Sequence, residues 1–203
     1  MNSGPTAERV YDALKRRIMA RAFRPGERLD PAQLADTLAS SVTPVRDALH
    51  RLTGERLVTT RTGDGFHLPP LDEPGLCDLY GWTCEVLLLA IRGWPPSADP
   101  VQASPSAGPT RPCQAAIARL FADVAGRSAN VEHVAALSSL NDRLSSVRLV
   151  EPQVLEHTEE EIEELQSALV GDGDKSLRSL VTAYHRRRKR HAADIVRATY
   201  RTS

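Results

Sequence analysis

At 203 residues with 41% hydrophobic but only 4% aromatic content, the chain can bury a core, and Leu, Val, Ala and Ile must supply most of it. No apolar run follows a basic start in residues 1–9, and the longest apolar stretch, Val86–Ile91, falls far short of the ~20 residues of a bilayer span, so neither a signal peptide nor a membrane helix is expected. Cys77, Cys84 and Cys113 are odd in number and form no CxxC pair, which predicts reduced thiols in a cytoplasmic protein and no zinc site.

The zero net charge hides an asymmetry. Residues 1–70 hold 11 basic against 8 acidic side chains, whereas residues 71–203 hold 15 against 18. A basic unit joined to an acidic one suits a nucleic-acid reader attached to something else.

In chain order, Val10, Leu14 and Ile18 recur every four positions and predict an amphipathic helix over Glu8–Arg21. Pro25-Gly26 breaks it. Asp30-Pro31-Ala32-Gln33 has the form of a capping box, followed by a helix with Leu34 and Leu38 inward. Thr43-Pro44 repeats the start signal, with Thr43 as cap, and Leu49 and Leu52 give the third helix its core face. The spacing of the second and third helices makes a helix-turn-helix. Leu57–Arg61, the turn Thr62–Gly65 and Phe66–Leu68 then predict a β-hairpin, completing a winged helix that Pro69-Pro70 ends.

The remainder reads as an all-helical bundle. Helices are predicted over Glu73–Gly93, Gln114–Gly126, Val131–Arg148, Pro152–Leu169 and Lys175–Arg197, with a flexible Pro/Ser-rich loop at 94–112. The fold class is therefore mainly α: a winged helix-turn-helix in 1–70 and a helical domain in 71–203.

Residues 10–68 resemble the GntR family of regulators. The resemblance rests on Tyr11, Leu14 and Ile18, then Pro25-Gly26-Glu27-Arg28-Leu29, then Leu34-Ala35. Its most specific part is Thr43-Pro44-Val45-Arg46-Asp47-Ala48-Leu49 with Arg51-Leu52. It implies Arg28, Ser41, Thr43 and Arg46 as DNA contacts, with Gly63 and Gly65 letting the wing approach the duplex. A recognition helix that opens on Thr43 and Arg46 can offer its positive end to phosphate and an arginine to a guanine edge. Two positions depart from the family pattern: Val42 stands where an Arg usually precedes Thr-Pro, and Arg21 stands where Gly usually precedes the Pro-Gly turn.

The second half resembles the helical effector domain of the FadR subgroup, through Asp78-Leu79-Tyr80, Ser128-Ala129-Asn130, Ala168-Leu169, Asp174 and His185. That domain commonly holds a divalent metal through an Asp, a His one turn on, and two later histidines. The corresponding positions here are Ile117, Phe121, Ile162 or Glu163, and His185, so no metal and no other cofactor is expected. Thr83 stands where an effector-gripping Arg is common. His185 and Thr83 are the candidate effector contacts, in a pocket that is either filled or suited to an uncharged or apolar ligand.

Two charge runs remain. Glu159–Glu161 with Glu163 and Glu164 is expected to be a solvated acidic face. Arg186–Arg190 is expected to be a solvated helix face, with DNA or the acidic face of this or a partner subunit as alternatives. No catalytic motif is present: GxSxG, P-loop, HExxH and GxGxxG are all absent.

The expectation is a non-enzymatic regulator, most simply a repressor, that binds double-stranded DNA as a homodimer on a near-palindromic operator. The alternative is an effector-independent regulator whose C-terminal domain is a protein-interaction module.

Overall fold

The computed structural model describes residues 4–61, 63–95, 113–171 and 174–201. The chain divides into two compact units, residues 1–71 with 200–203, and Asp72–Thr199.

The first unit is built on three helices, α1 (Gly4–Met19), α2 (Pro31–Thr37) and α3 (Val42–Gly54). Val10, Leu14, Val45, Leu49 and Leu52 are almost completely buried, so the four-residue spacing on α1 meets the inner face of α3. Asp30 caps α2 by accepting from the Ala32 and Gln33 amides at 2.8 and 3.1 Å.

Three short strands complete the unit: β1 (Arg28–Leu29), β2 (Thr59–Arg61) and β3 (Gly65–His67), antiparallel in the order β1-β3-β2. The sequence reading missed β1. A two-residue strand shows no alternation, and it exists because β3 offers Phe66 and His67 as partners for Leu29 and Arg28. Leu57 and Val58, expected inside the hairpin strand, are instead a buried connector whose amides both bond the Leu52 carbonyl.

The start of α3 also differs from expectation. The cap is Ser41, not Thr43, and Pro44 sits inside the first turn. The first turn has no intrahelical acceptor for its N–H groups, so proline is tolerated there beyond the first position.

The second unit contains α4 (Glu73–Arg92), α5 (Cys113–Gly126), α6 (Val131–Arg148), a 3₁₀ turn (Glu151–Gln153), α7 (Thr158–Val170), α8 (Asp174–Arg190) and α9 (Ala192–Arg201), the last residues of which belong to the first unit. Asp72 caps α4 through the Gly75 amide at 2.7 Å. Helix α4 is the one helix among the described residues long and apolar enough to cross a membrane, yet Leu76, Tyr80, Leu87, Ala90 and Ile91 on it pack into the unit's core. It packs against α5, α6 and α8.

Two helices expected to be continuous are broken. Pro152–Leu169 divides because His157 adopts a left-handed conformation, φ +54°, after which Glu159, Glu160 and Glu161 occupy the favourable first turn of α7. Lys175–Arg197 divides at His191, whose amide is shared between the Arg187 and Arg188 carbonyls. No proline or glycine marks that break, so periodicity carried across it. The expected loop at 94–112 lies outside the described residues except for Trp94 and Pro95.

Candidate nucleic-acid interface and buried cavity

The outer face of α3 follows from its inner one. With Val45, Ala48, Leu49 and Leu52 buried, Val42, Thr43, Arg46, Asp47 and His50 are left exposed at helical spacing. Ser41 is in extended conformation and makes no side-chain cap bond, so the first N–H groups of α3 are not taken up by it. Arg46 makes no ion pair or hydrogen bond among the described residues. Such a helix end offers amide donors, hydroxyls and a free guanidinium to one ligand surface.

The other motif arginine in α3 has a different environment. Arg51 bonds Glu8 at 2.9 Å, lies 3.6 Å from Glu55, and its guanidinium carbon sits 3.6 Å from the centre of the Tyr11 ring. Tyr11 donates to Glu55 at 2.7 Å, and Lys15 holds the same carboxylate at 2.9 Å. This cluster ties α1 to α3.

The wing supplies a second exposed edge. Gly63 and Gly65 both have φ +78°, and a Cβ at either would meet nothing within 4 Å. Glycine is therefore required by the left-handed backbone rather than by lack of space. Arg61 pairs with Gly65 in the hairpin and is exposed, while Asp64 is drawn back to His67 Nε2 at 3.1 Å. Arg28 lies exposed on β1. Arg28, Ser41, Thr43, Arg46, Gly63 and Gly65 are thus all solvent-facing in one unit. Asp47, His50 and Arg61 join them; the first two stand four and seven positions after Thr43, a spacing that could have identified them.

Residues 6–68 match the family model for bacterial regulatory proteins of the gntR family. This unit is a GntR-family winged helix. The Nta operon transcriptional regulator of Aminobacter aminovorans is 48% identical over 58 residues, 29% of this chain and 28% of that protein. The transcriptional repressor GlaR of Escherichia coli is 36% identical over 70 residues, 34% of this chain and 32% of that protein. Such matches span about a third of the relatives' length and concern this unit. The solved structure of E. coli McbR/YncC shares the fold across 93% of this chain and 97% of that one, at a TM-score of 0.61 and 18% identity. The GntR family and these named relatives are regulators, not enzymes.

The second unit holds a different arrangement. Arg188, expected to be solvated, is only 1% exposed. It donates to Glu151 and to Glu161 at 2.8 Å each and lies over the Tyr184 ring. Glu151 also accepts from Tyr80 at 2.7 Å. Of the acidic run, Glu161 is therefore an internal partner, and the contact is made within this subunit. Charge counting along the chain could not separate Arg188 from its exposed neighbours Arg186 and Lys189.

His185 is buried, stacked on Phe121 at 5.5 Å, with Nδ1 donating to the Val181 carbonyl at 2.8 Å. Burial lowers its pKa to about 3. Its Nε2 has no hydrogen-bond partner. Thr83 is fully buried and donates to the Leu79 carbonyl one turn back, at 2.7 Å. Ile117, Phe121 and Ile162 are buried where the FadR-type resemblance places metal ligands, and among the described residues no three His, Cys, Asp or Glu side chains cluster. These residues do not fit a metal.

A small pocket of about 10 Å³, room for a single water, lies beside them, lined among others by Gln114, Ile117, Arg148, Glu151, Tyr184 and Arg188.

Proposed function

We propose that the chain is a DNA-binding transcriptional regulator whose winged helix reads a duplex major groove with the exposed face of α3. The observation that carries this reading is Arg46, unpaired on the exposed face of a helix whose first turn has no side-chain cap, while Arg51 in the same helix is fully engaged. In this reading Thr43, Ser41 and the first amides of α3 hold phosphate, Arg46 reads a base edge, and Arg28 with the Gly63–Gly65 wing braces the flanking backbone.

One winged helix buries too little surface for high specificity, which favours a homodimer on a near-palindromic operator. GlaR, similar over the winged helix, is named a repressor. That favours repression by promoter occupancy in the cytoplasm. The helical unit would supply dimerisation and the response to a small molecule, as in the FadR subgroup it resembles.

The test is selection of duplexes from a random library by the full chain, then footprinting and sedimentation of the complex. A palindromic site bound by two chains, and lost in Arg46→Ala, is the expected result. Selection of no consensus, or binding unchanged in Arg46→Ala, would remove α3 from that role.

A further inference from the structure

The tip of the wing carries an acid. Asp64 stands between the left-handed Gly63 and Gly65, and its amide closes the turn on the Arg61 carbonyl at 3.1 Å. Its side chain is half exposed. A carboxylate at that place opposes the phosphates a wing approaches, because like charges repel across such an interface. This carboxylate has a partner, however. It lies 3.1 Å from Nε2 of His67, three positions on in β3, whose side chain is only 5% exposed. The other ring nitrogen, Nδ1, is buried without a hydrogen-bond partner.

The neighbours of this pair come from three elements. Arg28 is the register partner of His67 on β1, and the uncharged Thr59 is its partner on β2. Arg61, also on β2, pairs with Gly65 at the same end of the hairpin. From α3 the His50 ring meets Phe66 edge-on, with 4.9 Å between ring centres. Arg28 and Arg61 are exposed, so water and salt screen their repulsion of an imidazolium, whereas Asp64 touches the ring itself. Histidine is the side chain whose charge changes between about pH 5 and 8. With the imidazole neutral, the wing tip keeps the full negative charge of Asp64. With it protonated, the pair is neutral.

We propose that His67 is a positioning residue of the wing: it holds the Asp64 carboxylate against β3, and the pair takes up one proton as the wing closes on a duplex. The reading rests on the winged helix binding DNA as proposed above. The proton completes the imidazolium, and the Asp64–His67 pair then presents no net charge to the phosphates. A polyanion selects the protonated pair, so duplex affinity rises as pH falls through the histidine range. Uptake of a single proton limits the slope of log affinity against pH to about minus one.

The experiment titrates the full chain against the selected duplex by fluorescence anisotropy between pH 8 and pH 6 at fixed ionic strength. Calorimetry at pH 7 in two buffers of different ionisation enthalpy counts the protons taken up. Affinity should tighten by about threefold to tenfold from pH 8 to pH 6. Asp64→Asn keeps the shape and removes the charge. It should bind at pH 8 as tightly as the unmodified chain does at pH 6, with a flat profile and no proton uptake. His67→Gln should hold the weaker, pH 8 affinity across the range. His50 and His67 are the two histidines of residues 1–71, so His50→Gln is the control and should keep the slope.

Duplex affinity that does not change with pH overturns the proposal. So does a slope undiminished in Asp64→Asn, or one lost in His50→Gln, which would place the proton on α3. A His67 that served only to pack the sheet would weaken binding at every pH when replaced, and leave the slope and the proton count of Asp64→Asn as they are in the unmodified chain. Asp64 is exposed, so its variant decides the matter even where His67→Gln does not fold. A chain that binds the duplex equally well across the range refutes the proton linkage alone. A chain that binds no duplex at any pH refutes the DNA-binding reading and the linkage together.

Discussion

Arg51 stacks its guanidinium over the Tyr11 ring at 3.6 Å, whereas Arg46, five positions earlier in the same helix, touches no described partner. Two arginines of one motif thus have opposite duties. Arg51 joins α3 to α1 through Tyr11, Glu8 and Glu55; Arg46 is available to a ligand. Arg46→Ala should weaken binding to the selected duplex by about 1–3 kcal/mol and leave the melting temperature unchanged. Arg51→Ala should lower the melting temperature instead. Calorimetric scans alongside fluorescence anisotropy separate the two, and a destabilised Arg46→Ala would count against the division of labour.

Val42 is 38% exposed in the first turn of α3, at the position where the family pattern has arginine. A cation there would meet phosphate. Val42→Arg is therefore expected to tighten duplex binding and steepen its salt dependence by about one unit in the slope of log affinity against log salt. Anisotropy titrations between low and moderate salt measure that slope directly. An unchanged slope would mean that this turn does not approach the backbone.

The winged helix was legible because its determinants are local. Val10, Leu14 and Ile18 lie on one stripe, Asp30-Pro31 caps α2, and Gly63 and Gly65 mark a left-handed turn. What escaped depends on distant partners. Strand β1 is made by β3, and Arg188 is buried because Glu151 and Glu161 arrive from the 3₁₀ turn and α7. Arg148, 2% exposed, is another such position: nothing beside it in the sequence distinguishes a buried guanidinium from a solvated one. Long-range pairing, not composition, decided these positions.

The Arg188–Glu151 pair is buried on both sides, with exposures of 1% and 4%. Removing one partner strands the other in a poorly solvated interior. Glu151→Ala is expected to lower the unfolding free energy by about 3 kcal/mol, the smaller end of the usual range because Glu161 still faces Arg188. Tyr80 also loses its acceptor in that variant. Urea unfolding followed by circular dichroism provides the measurement. A change under about 1 kcal/mol, the scale of an exposed pair, would contradict the internal role.

Ala39 is exposed in the turn between α2 and α3 and has φ +46°. A Cβ in that region costs about 1–2 kcal/mol, more than the extra chain entropy that glycine loses on folding. Ala39→Gly should therefore raise the unfolding free energy by about 0.5 kcal/mol or more, since an exposed methyl gives up little packing. Arg21, φ +60°, occupies the same kind of conformation, which accounts for the family's preference for glycine there. A lower melting temperature for Ala39→Gly would show that the turn does not hold this geometry.

His185 contributes a defined part of the pH dependence of the helical unit's stability. Burial among Phe121, Tyr184 and Tyr80, with the charges of Arg188 and Arg148 nearby, pushes its pKa down to about 3. The ordinary value in an unfolded chain is about 6.5. Above pH 6.5 both states are neutral at this residue, and it adds no pH dependence. As pH falls below 6.5 the unfolded chain gains a proton that the folded chain refuses, so stability is lost progressively down to about pH 3, at up to about 1.4 kcal/mol per pH unit. His185→Gln is expected to flatten this slope between pH 6 and pH 4 while other groups keep theirs. Urea unfolding of both proteins across that interval measures the difference. Parallel curves for the two chains would mean that the imidazole takes up its proton in the folded state, and that the stack on Phe121 opens to admit water.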